Sequence, residues 1–393
     1  MKDIVIVSAA RTAVGDFGGS LKTCSPTEMG AETAKAAIAR AGIAADEIQQ
    51  AFYGNVIHTE PRDMYVSRTI ALEAGLAETT PALTVNRLCG SGLQAIVSGI
   101  QALGMGEAEI VMAGGTESMS RAGYMIPAAR WGQKMGDTTG VDMMTAALHD
   151  PFGHGHMGIT AENVAEKYGI DRAAQDSFAV ESHRRAAQAT KEGRFADQIV
   201  PMVIKSRKGD IVFEIDEHVR ADATVERMAA LRTVFKKDGM VTAGNASGLN
   251  DGAASLVLMT EEAASARGLK PMARVLAYGH SGVDPRYMGI GPVPAMKTAL
   301  SRAGLTADDL DVVESNEAFA AQACAVTAEL GLDPAKVNPN GGAVAIGHPI
   351  GASGAIIATK LLYELKRSGG KHGAATMCIG GGQGIALIVE AMT

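Results

Sequence analysis

The chain repeats itself. "AAIARAGIAADEIQQAFYGNV" at 36–56 resembles "TALSRAGLTADDLDVVESNEA" at 298–318, and laying Ala41-Gly42 on Ala303-Gly304 sets an offset of 262 residues. The same offset places Ser91-Gly92 on Ser353-Gly354, so that "CGSGLQAI" opposes "GASGAIIA". Allowing a slip of four residues, "AGGTES" (113–118) finds a counterpart in "IGGGQG" (379–384), and both read as small-residue turns. Each copy then runs helix, apolar strand, Gly-rich turn, helix, apolar strand, Gly-rich turn, which is an α/β pattern present twice.

Between the copies the character changes. Residues 119–249 are richer in Met, His and charge, and 161–193 holds two helical patterns around a turn. The spacing predicts an N-terminal half over 1–118, completed by 250–269, an inserted covering segment over 119–249, and a C-terminal half over 270–393. Within "VTAGNASGLNDGAASLVLMT" (241–260) it predicts a small-residue turn leading through a helix to the last strand of the first half. A length of 393 residues fits more than one core. With 47% hydrophobic and 20% charged residues the composition is that of a soluble globular protein, and a net charge of −7 argues against nucleic acid as a partner. The first apolar run is four residues long and none later reaches about 18, so neither a leader nor a membrane partner is expected and the reading is cytoplasmic. Four cysteines (Cys24, Cys89, Cys324, Cys378) stand far apart without a CxxC pair, against a disulfide framework or a zinc cage. Residues 181–237 are locally basic, with 12 Lys/Arg against 9 Asp/Glu. That segment is either a solvated face or the seat of an anionic ligand.

Four Gly-rich turns carry reactive side chains. In "ALTVNRLCGSGLQAI" (82–96) Cys89 falls where an apolar strand gives way to a helix with Leu93, Ile96, Ile100 and Leu103 on one face. A thiol there is either a small core residue or a nucleophile whose pKa the helix dipole lowers. His348 is gripped between Gly347 and Pro349 just before the equivalent helix, a setting that aims a general base. Cys378 ends an apolar strand ahead of three glycines. Asn316 follows the strand "DVVE" and either caps the next helix or holds an oxygen in an oxyanion hole. Four such groups at comparable strand ends of a duplicated unit predict one site.

"NRLCGSGLQAI", "AGNASGLNDGAA", "NEAFA", "GGAVAIGHPIGASGA" and "CIGGGQG" together resemble the thiolases, in particular bacterial acetyl-CoA acetyltransferases and β-ketothiolases, and the likeness runs from Val7 to the C-terminus. It implies a duplicated five-layered αβαβα core with a covering loop domain. It implies an acyltransferase that condenses two acetyl-CoA into acetoacetyl-CoA and CoA, or cleaves short-chain 3-ketoacyl-CoA, in two steps through an acyl-cysteine. By the same resemblance Cys89 is the acylated nucleophile. His348 is the base that activates it, facing the thioester oxygen of the second substrate. Asn316 places the water sharing that oxyanion hole, and Cys378 deprotonates the second acetyl group. The N–H groups of Cys89 and Gly380 form the other oxyanion hole. Ser247 and Ala243 line the pantetheine tunnel with Leu148, His156, Met157, Phe235, Ala318 and Phe319, while Arg220 lies near the nucleotide. Met157 and Met288 wall the acyl pocket and favour short chains, although "VIHTEPRDMYVSR" (56–68) resembles β-ketothiolases that accept five or six carbons. CoA thioesters are substrates, and no metal or redox cofactor is implied; His149, His154 and His156 lack the carboxylate or cysteine spacing of a metal site. Residues 119–137 resemble the segment that joins dimers into tetramers. Two rivals are a β-ketoacyl synthase, which normally pairs its cysteine with two histidines, and a catalytically dead thiolase-like carrier, which would have lost one of Cys89, His348 or Cys378.

Overall fold

A computed structural model describes residues 3–207 and 209–392. Its long strands are β1 (Ile4–Thr12), β2 (Gln50–Gly54), β3 (Ala82–Val85), β4 (Ile110–Ser118), β5 (Asn250–Thr260), β6 (Ala273–Gly282), β7 (Val312–Ser315), β8 (His372–Ile379) and β9 (Gln383–Ala391). They are ordered β7-β8-β9-β6-β1-β5-β4-β2-β3, with short strands Gly15–Asp16 and Ile199–Val200 added on β5 and β1. Two residue pairs, Val5–Arg274 and Ile6–Ala273, join β1 to β6. The system is therefore two sheets sharing a corner. The helices that build the site are α1 (Pro26–Ala41), α2 (Val66–Glu73), α3 (Ser91–Met105), α4 (Met157–Tyr168), α5 (Arg172–Lys191), α6 (Pro292–Ala303), α7 (Ala320–Glu329), α8 (Ala343–Ile346) and α9 (Ile350–Ser368).

Three apolar clusters separate five layers. One lies outside the first sheet, under Ala34, Ala37 and Ile38 of α1 and Ile70 of α2. Another lies outside the second sheet, under Met296 and Leu300 of α6 and Val326 of α7. The largest fills the middle, where Leu93, Ile96, Ile100 and Leu103 of α3 meet Ile356, Ile357, Leu361 and Leu365 of α9. This is the αβαβα order that the resemblance implied. All residues of β4 and β5 are buried, as strands covered on both faces must be.

The 262-residue offset holds in space. It carries β2 onto β7, β4 onto β8 and α3 onto α9. It also corrects one expectation. Residues 113–118 are not a turn but the greater part of β4, and their counterpart at the unbroken offset, 375–380, is the end of β8 and the residue after it, so no slip is needed. The glycines there serve packing: a Cβ on Gly115 would strike the backbone of α9 at Gly351 and Ala352. A second expectation also fails, because 241–260 contains no helix. The chain is irregular to Leu249, and β5 then begins at Asn250. Its Gly252, Ala253, Ala254 and Ser255 are small because helices lie close on both faces, and small residues alone do not separate strand from helix. The two helical patterns of 161–193 are α4 and α5. Gly169 ends α4 at φ +65°, and Asp171 caps α5 by accepting from Ala174 N at 2.8 Å.

α3 and α9 cross at a pair of repeat-equivalent glycines. A Cβ on Gly92 would lie 2.7 Å from Ala355 N, and one on Gly354 would overlap the backbone of Leu93. Gly354→Ala should therefore lower the free energy of unfolding by about 1–3 kcal/mol or more, because backbone cannot move aside as a side chain can. Urea titration read by tryptophan-independent far-UV dichroism checks this, and an unchanged midpoint would contradict it.

Candidate active site

Two elbows aim the reactive groups. After β3, Leu88 adopts φ +44°, unusual for a residue with a branched side chain. It is held there by Asn86 Oδ1, which accepts Leu88 N at 3.0 Å, and by Ser91 Oγ, which donates to Leu88 O at 2.6 Å. Cys89 follows and stands half-buried at the start of α3. In the second half Gly347 adopts φ +109° and His348 follows, its N–H donating to Asn250 Oδ1 at 2.9 Å. The expectation of four strand ends fails here: His348 leaves the short helix α8, which occupies the place that β3 holds in the first half.

The tautomer of His348 follows from its neighbours. Ser353 Oγ gives its one proton to Pro349 O at 2.9 Å, so at 2.6 Å it must accept from His348 Nδ1–H. Nε2 is left with the lone pair and finds no hydrogen-bond partner among the described residues, although the side chain is 5% exposed. Burial pushes the imidazole pKa down to about 4, so the ring is neutral near pH 7.

Burial also decides the thiols. Of the two readings of Cys89, a small core residue or a thiol acidified by the helix dipole, the acidified one fails: its pKa is pushed up to about 11 by desolvation, which outweighs the lowering by the N–H groups of Gly380 and of Cys89 itself. Those two N–H groups converge on the Cys89 sulfur. Cys378, fully buried on β8, is raised further still by burial and then by charge on Cys89, which places the two sulfurs within electrostatic reach.

Asn316 does not cap a helix. α7 starts at Ala320, after Phe319. Asn316 is 1% exposed, yet neither its Oδ1 nor its Nδ2 meets a hydrogen-bond partner among the described residues. Its backbone is held firmly: Asn316 N donates to Thr376 O at 2.9 Å, and Asn338 brackets Ser315 by accepting from its N–H at 2.9 Å and donating to its C=O at 2.8 Å. An amide left unpaired on so fixed a backbone is a site for an external oxygen.

Cys89 and His348 end a cavity of about 400 Å³. Leu148, His156, Met157, Phe235 and Ala243 line it, as do Ser247, Met288, Ala318 and Phe319. His156 caps α4 by accepting from Gly158 N at 3.0 Å and stacks on Phe235, with ring centroids 4.6 Å apart. Burial, then charge on His149, holds its pKa down near about 4. Cys378 packs with Met157, Met288 and Phe319 behind the cavity wall. Arg220 stands apart from the walls, 59% exposed, beside His218, which does line the cavity.

Sequence reasoning missed several participants. Met119, Met144, His218 and Ile350 also line the cavity. Ser353 was seen as a repeat match and not as the group that fixes His348. Glu117, fully buried, accepts N–H bonds from Val56, Ile57 and Gly351, and burial pushes its pKa up to about 8. A carboxylate inside an apolar strand was the signal, hidden because that strand had been taken for a turn.

Comparison with known proteins agrees with this geometry. A family model of the thiolase N-terminal domain matches residues 4–262, and one of the thiolase C-terminal domain matches residues 269–391. Beta-ketothiolase BktB of Cupriavidus necator is 61% identical over 390 residues, 99% of each chain. An acetyl-CoA acetyltransferase of the same organism is 53% identical over 392 residues, 99% of this chain and 100% of that one. The crystal structure of the Bacillus anthracis acetyl-CoA acetyltransferase superposes with a TM-score of 0.97 at 46% identity, covering 100% of this chain and 99% of that one. Human mitochondrial 3-ketoacyl-CoA thiolase in complex with CoA gives 0.96 at 44%, covering 99% and 98%. With its duplicated layers, two cysteines within electrostatic reach and an aimed histidine, the chain belongs to the thiolase family of acyltransferases.

Proposed function

We propose that this protein is an acetyl-CoA C-acetyltransferase acting on short-chain 3-ketoacyl-CoA, through an acyl group carried on Cys89. The observation that carries the reading is that the neutral thiol of Cys89 and a neutral imidazole of fixed tautomer line one largely apolar cavity, with the second neutral thiol, Cys378, packed behind its wall. In the first step His348 Nε2 takes the Cys89 proton as sulfur attacks the thioester carbonyl. The N–H groups of Cys89 and Gly380 receive the oxyanion, and CoA departs with a proton from His348. In the second step Cys378 gives its proton to the vacated His348 Nε2 and, as the thiolate, removes an α-proton from a second acetyl-CoA. The imidazolium and a water held by Asn316 stabilise the enolate oxygen, the enolate carbon attacks the acyl carbonyl, and as the Cys89–acyl bond breaks Cys89 takes its proton back from His348. Aimed donors in a dry pocket are what make so weak a carbon acid reactive. Splitting the reaction at an acyl-enzyme lets one pocket serve both substrates in turn. The chemistry needs neither metal nor redox cofactor.

The largely apolar cavity wall that includes Ser247, Ala243, Phe235 and His156 suits a pantetheine arm, and CoA is present in the human relative's complex. Met157 and Met288 crowd the acyl end, which favours acetoacetyl-CoA. The alternative, a broader 3-ketoacyl-CoA range, draws support from the beta-ketothiolase likeness and from Ile57 of the divergent 56–68 segment, which packs with Met119 and Ile350 close to Cys89. A β-ketoacyl synthase is disfavoured because Cys378 stands as the second acid–base group, and a dead carrier because no reactive group is missing. The exposed Tyr124, Met125, Trp131 and Met135 of 119–137 support a dimer of dimers formed through that segment, in a cytoplasmic enzyme.

Three outcomes test the reading. Alkylation of Cys89 by iodoacetamide should accelerate about tenfold per pH unit from about pH 7 to about pH 10, because a thiol with a raised pKa becomes thiolate only in that range; a flat profile would show a preformed thiolate–imidazolium pair and sink the neutral-pair mechanism. Cys378→Ala should still take radiolabelled acetyl from acetyl-CoA onto Cys89 but lose condensation by about 10³-fold or more, and normal condensation would move the base elsewhere. Met157→Ala should raise kcat/KM for 3-oxohexanoyl-CoA relative to acetoacetyl-CoA by about tenfold; an unchanged ratio would place the acyl limit on other residues.

A further inference from the structure

One run of the covering segment, Asp216 to Arg220, is fastened along the exit of β1. Arg11, fully buried, makes a two-pronged pair with Asp216 at 2.7 and 3.0 Å, and Asp216 Oδ1 also accepts from Val14 N at 2.8 Å. Glu217 accepts from Asp16 N at 2.9 Å and from Ser20 N and Oγ at 3.1 and 2.8 Å. His218 Nδ1 donates to Asp16 Oδ1, and Arg220 Nη2 donates to Asp16 Oδ2 at 3.2 Å. Asp16 thus ties His218, which lines the cavity, and Arg220 beside it to the core. It also reaches inward. Asn250 Nδ2 donates to Gly15 O at 3.0 Å and lies 3.4 Å from Asp16 Oδ1, while Asn250 Oδ1 accepts the peptide N–H of His348.

We propose that Asp16 is a positioning residue for the mouth of the CoA cavity: its carboxylate aims His218 and Arg220 across the entrance and, through Asn250, steadies the peptide of His348. The inference rests on the reading that CoA occupies this cavity with its nucleotide at the mouth. An exposed pair between Arg and Asp adds little stability on its own. Here, however, Asp16 is itself immobile, pinned by Glu217 and by its strand pairing with Asn250. A guanidinium has five N–H donors in a rigid fork, and the bond to Asp16 uses one of them. The others stay available to an anion, and the ordering of a long side chain has been met before the ligand arrives. The carboxylate charge is shared among three donors, His218, Arg220 and Asn250, so the face turned to a phosphate is the free edge of Arg220. The ligand class assigned to this edge is the phosphorylated nucleotide end of an acyl carrier, not the thioester end.

Steady-state cleavage of acetoacetyl-CoA and of acetoacetyl-pantetheine, which lacks the nucleotide, tests the proposal in the full-length protein. Asp16→Ala should raise KM for acetoacetyl-CoA about tenfold, the scale of one hydrogen bond to a charged group, and leave KM for the pantetheine thioester unchanged. It should also lower kcat for both, through Asn250 and His348. Asp16→Asn keeps the shape and an oxygen, and it should recover the kcat while only partly restoring KM. In the double variant Asp16→Ala/Arg220→Ala, KM for acetoacetyl-CoA should match that of Arg220→Ala alone, since Asp16 acts on the nucleotide through Arg220. If wild type prefers acetoacetyl-CoA over the pantetheine thioester and Asp16→Ala and Asp16→Asn keep that preference in full, the proposal is overturned while the CoA reading stands. If wild type itself shows no preference, the nucleotide is not held at this mouth and both fall.

Discussion

Everything in this molecule is arranged around the contact of α3 with α9. The two helices touch at Gly92 and Gly354, where neither has room for a methyl group. That closeness is why the central layer can be shared between two sheets, and it brings the starts of both helices to one place. Cys89 precedes α3 and His348 precedes α9, so the distance between thiol and imidazole is set by how deeply two glycines let the backbones approach. Gly115 on β4 admits α9 in the same way. The catalytic geometry is therefore a consequence of core packing, and the loops only finish it.

Burial then sets the protonation states. The positive end of α3 was the obvious force acting on Cys89, yet desolvation by the closed pocket is the larger effect and keeps the thiol protonated. The same desolvation holds His348 neutral, and a neutral imidazole is the form that can accept a proton. With ordinary pKa values of about 8.5 and about 6.5 a Cys–His pair already keeps its proton on sulfur, and burial deepens that preference. In the proposed mechanism charge separates only when a thioester carbonyl arrives to receive it and the N–H groups of Cys89 and Gly380 are engaged.

Much of this was legible in the sequence, for a physical reason. Repeat-equivalent segments must bury equivalent faces, so a fixed offset survives in residue type, and it correctly exposed the α/β duplication and the buried face of α3. The failures are equally specific. "AGGTES" and "GAASLV" are strands whose small residues answer to helices packed on them, a tertiary cause with no local trace. Asn316 could be read as a helix cap or as an oxyanion-hole residue, and the cap reading falls because the helix starts four residues later. Ser353 and Glu117 act through hydrogen bonds to groups 5 and 234 residues away, which spacing cannot reveal.

The duplication also explains how a symmetric scaffold holds an asymmetric reaction. At the offset of 262 residues, Cys89 faces Gly351, Asn316 faces Gly54, His348 faces Asn86 and Cys378 faces Thr116. No reactive residue is repeated. At Gly351 a Cβ would lie 2.5 Å from Glu117 Oε2, and at Gly54 it would meet the backbone of Ser91 and Gly92. At two of the four positions the unreactive copy has thus given up its side chain: Gly351 admits Glu117 of the other half, and Gly54 admits the start of α3 in its own half. Asn86, standing where the second half has His348, instead fixes the Leu88 elbow that presents Cys89. Two equal halves bring four strand and helix ends together, and the loss of equality at those ends leaves one cavity in which a single acyl group can be passed from sulfur to carbon.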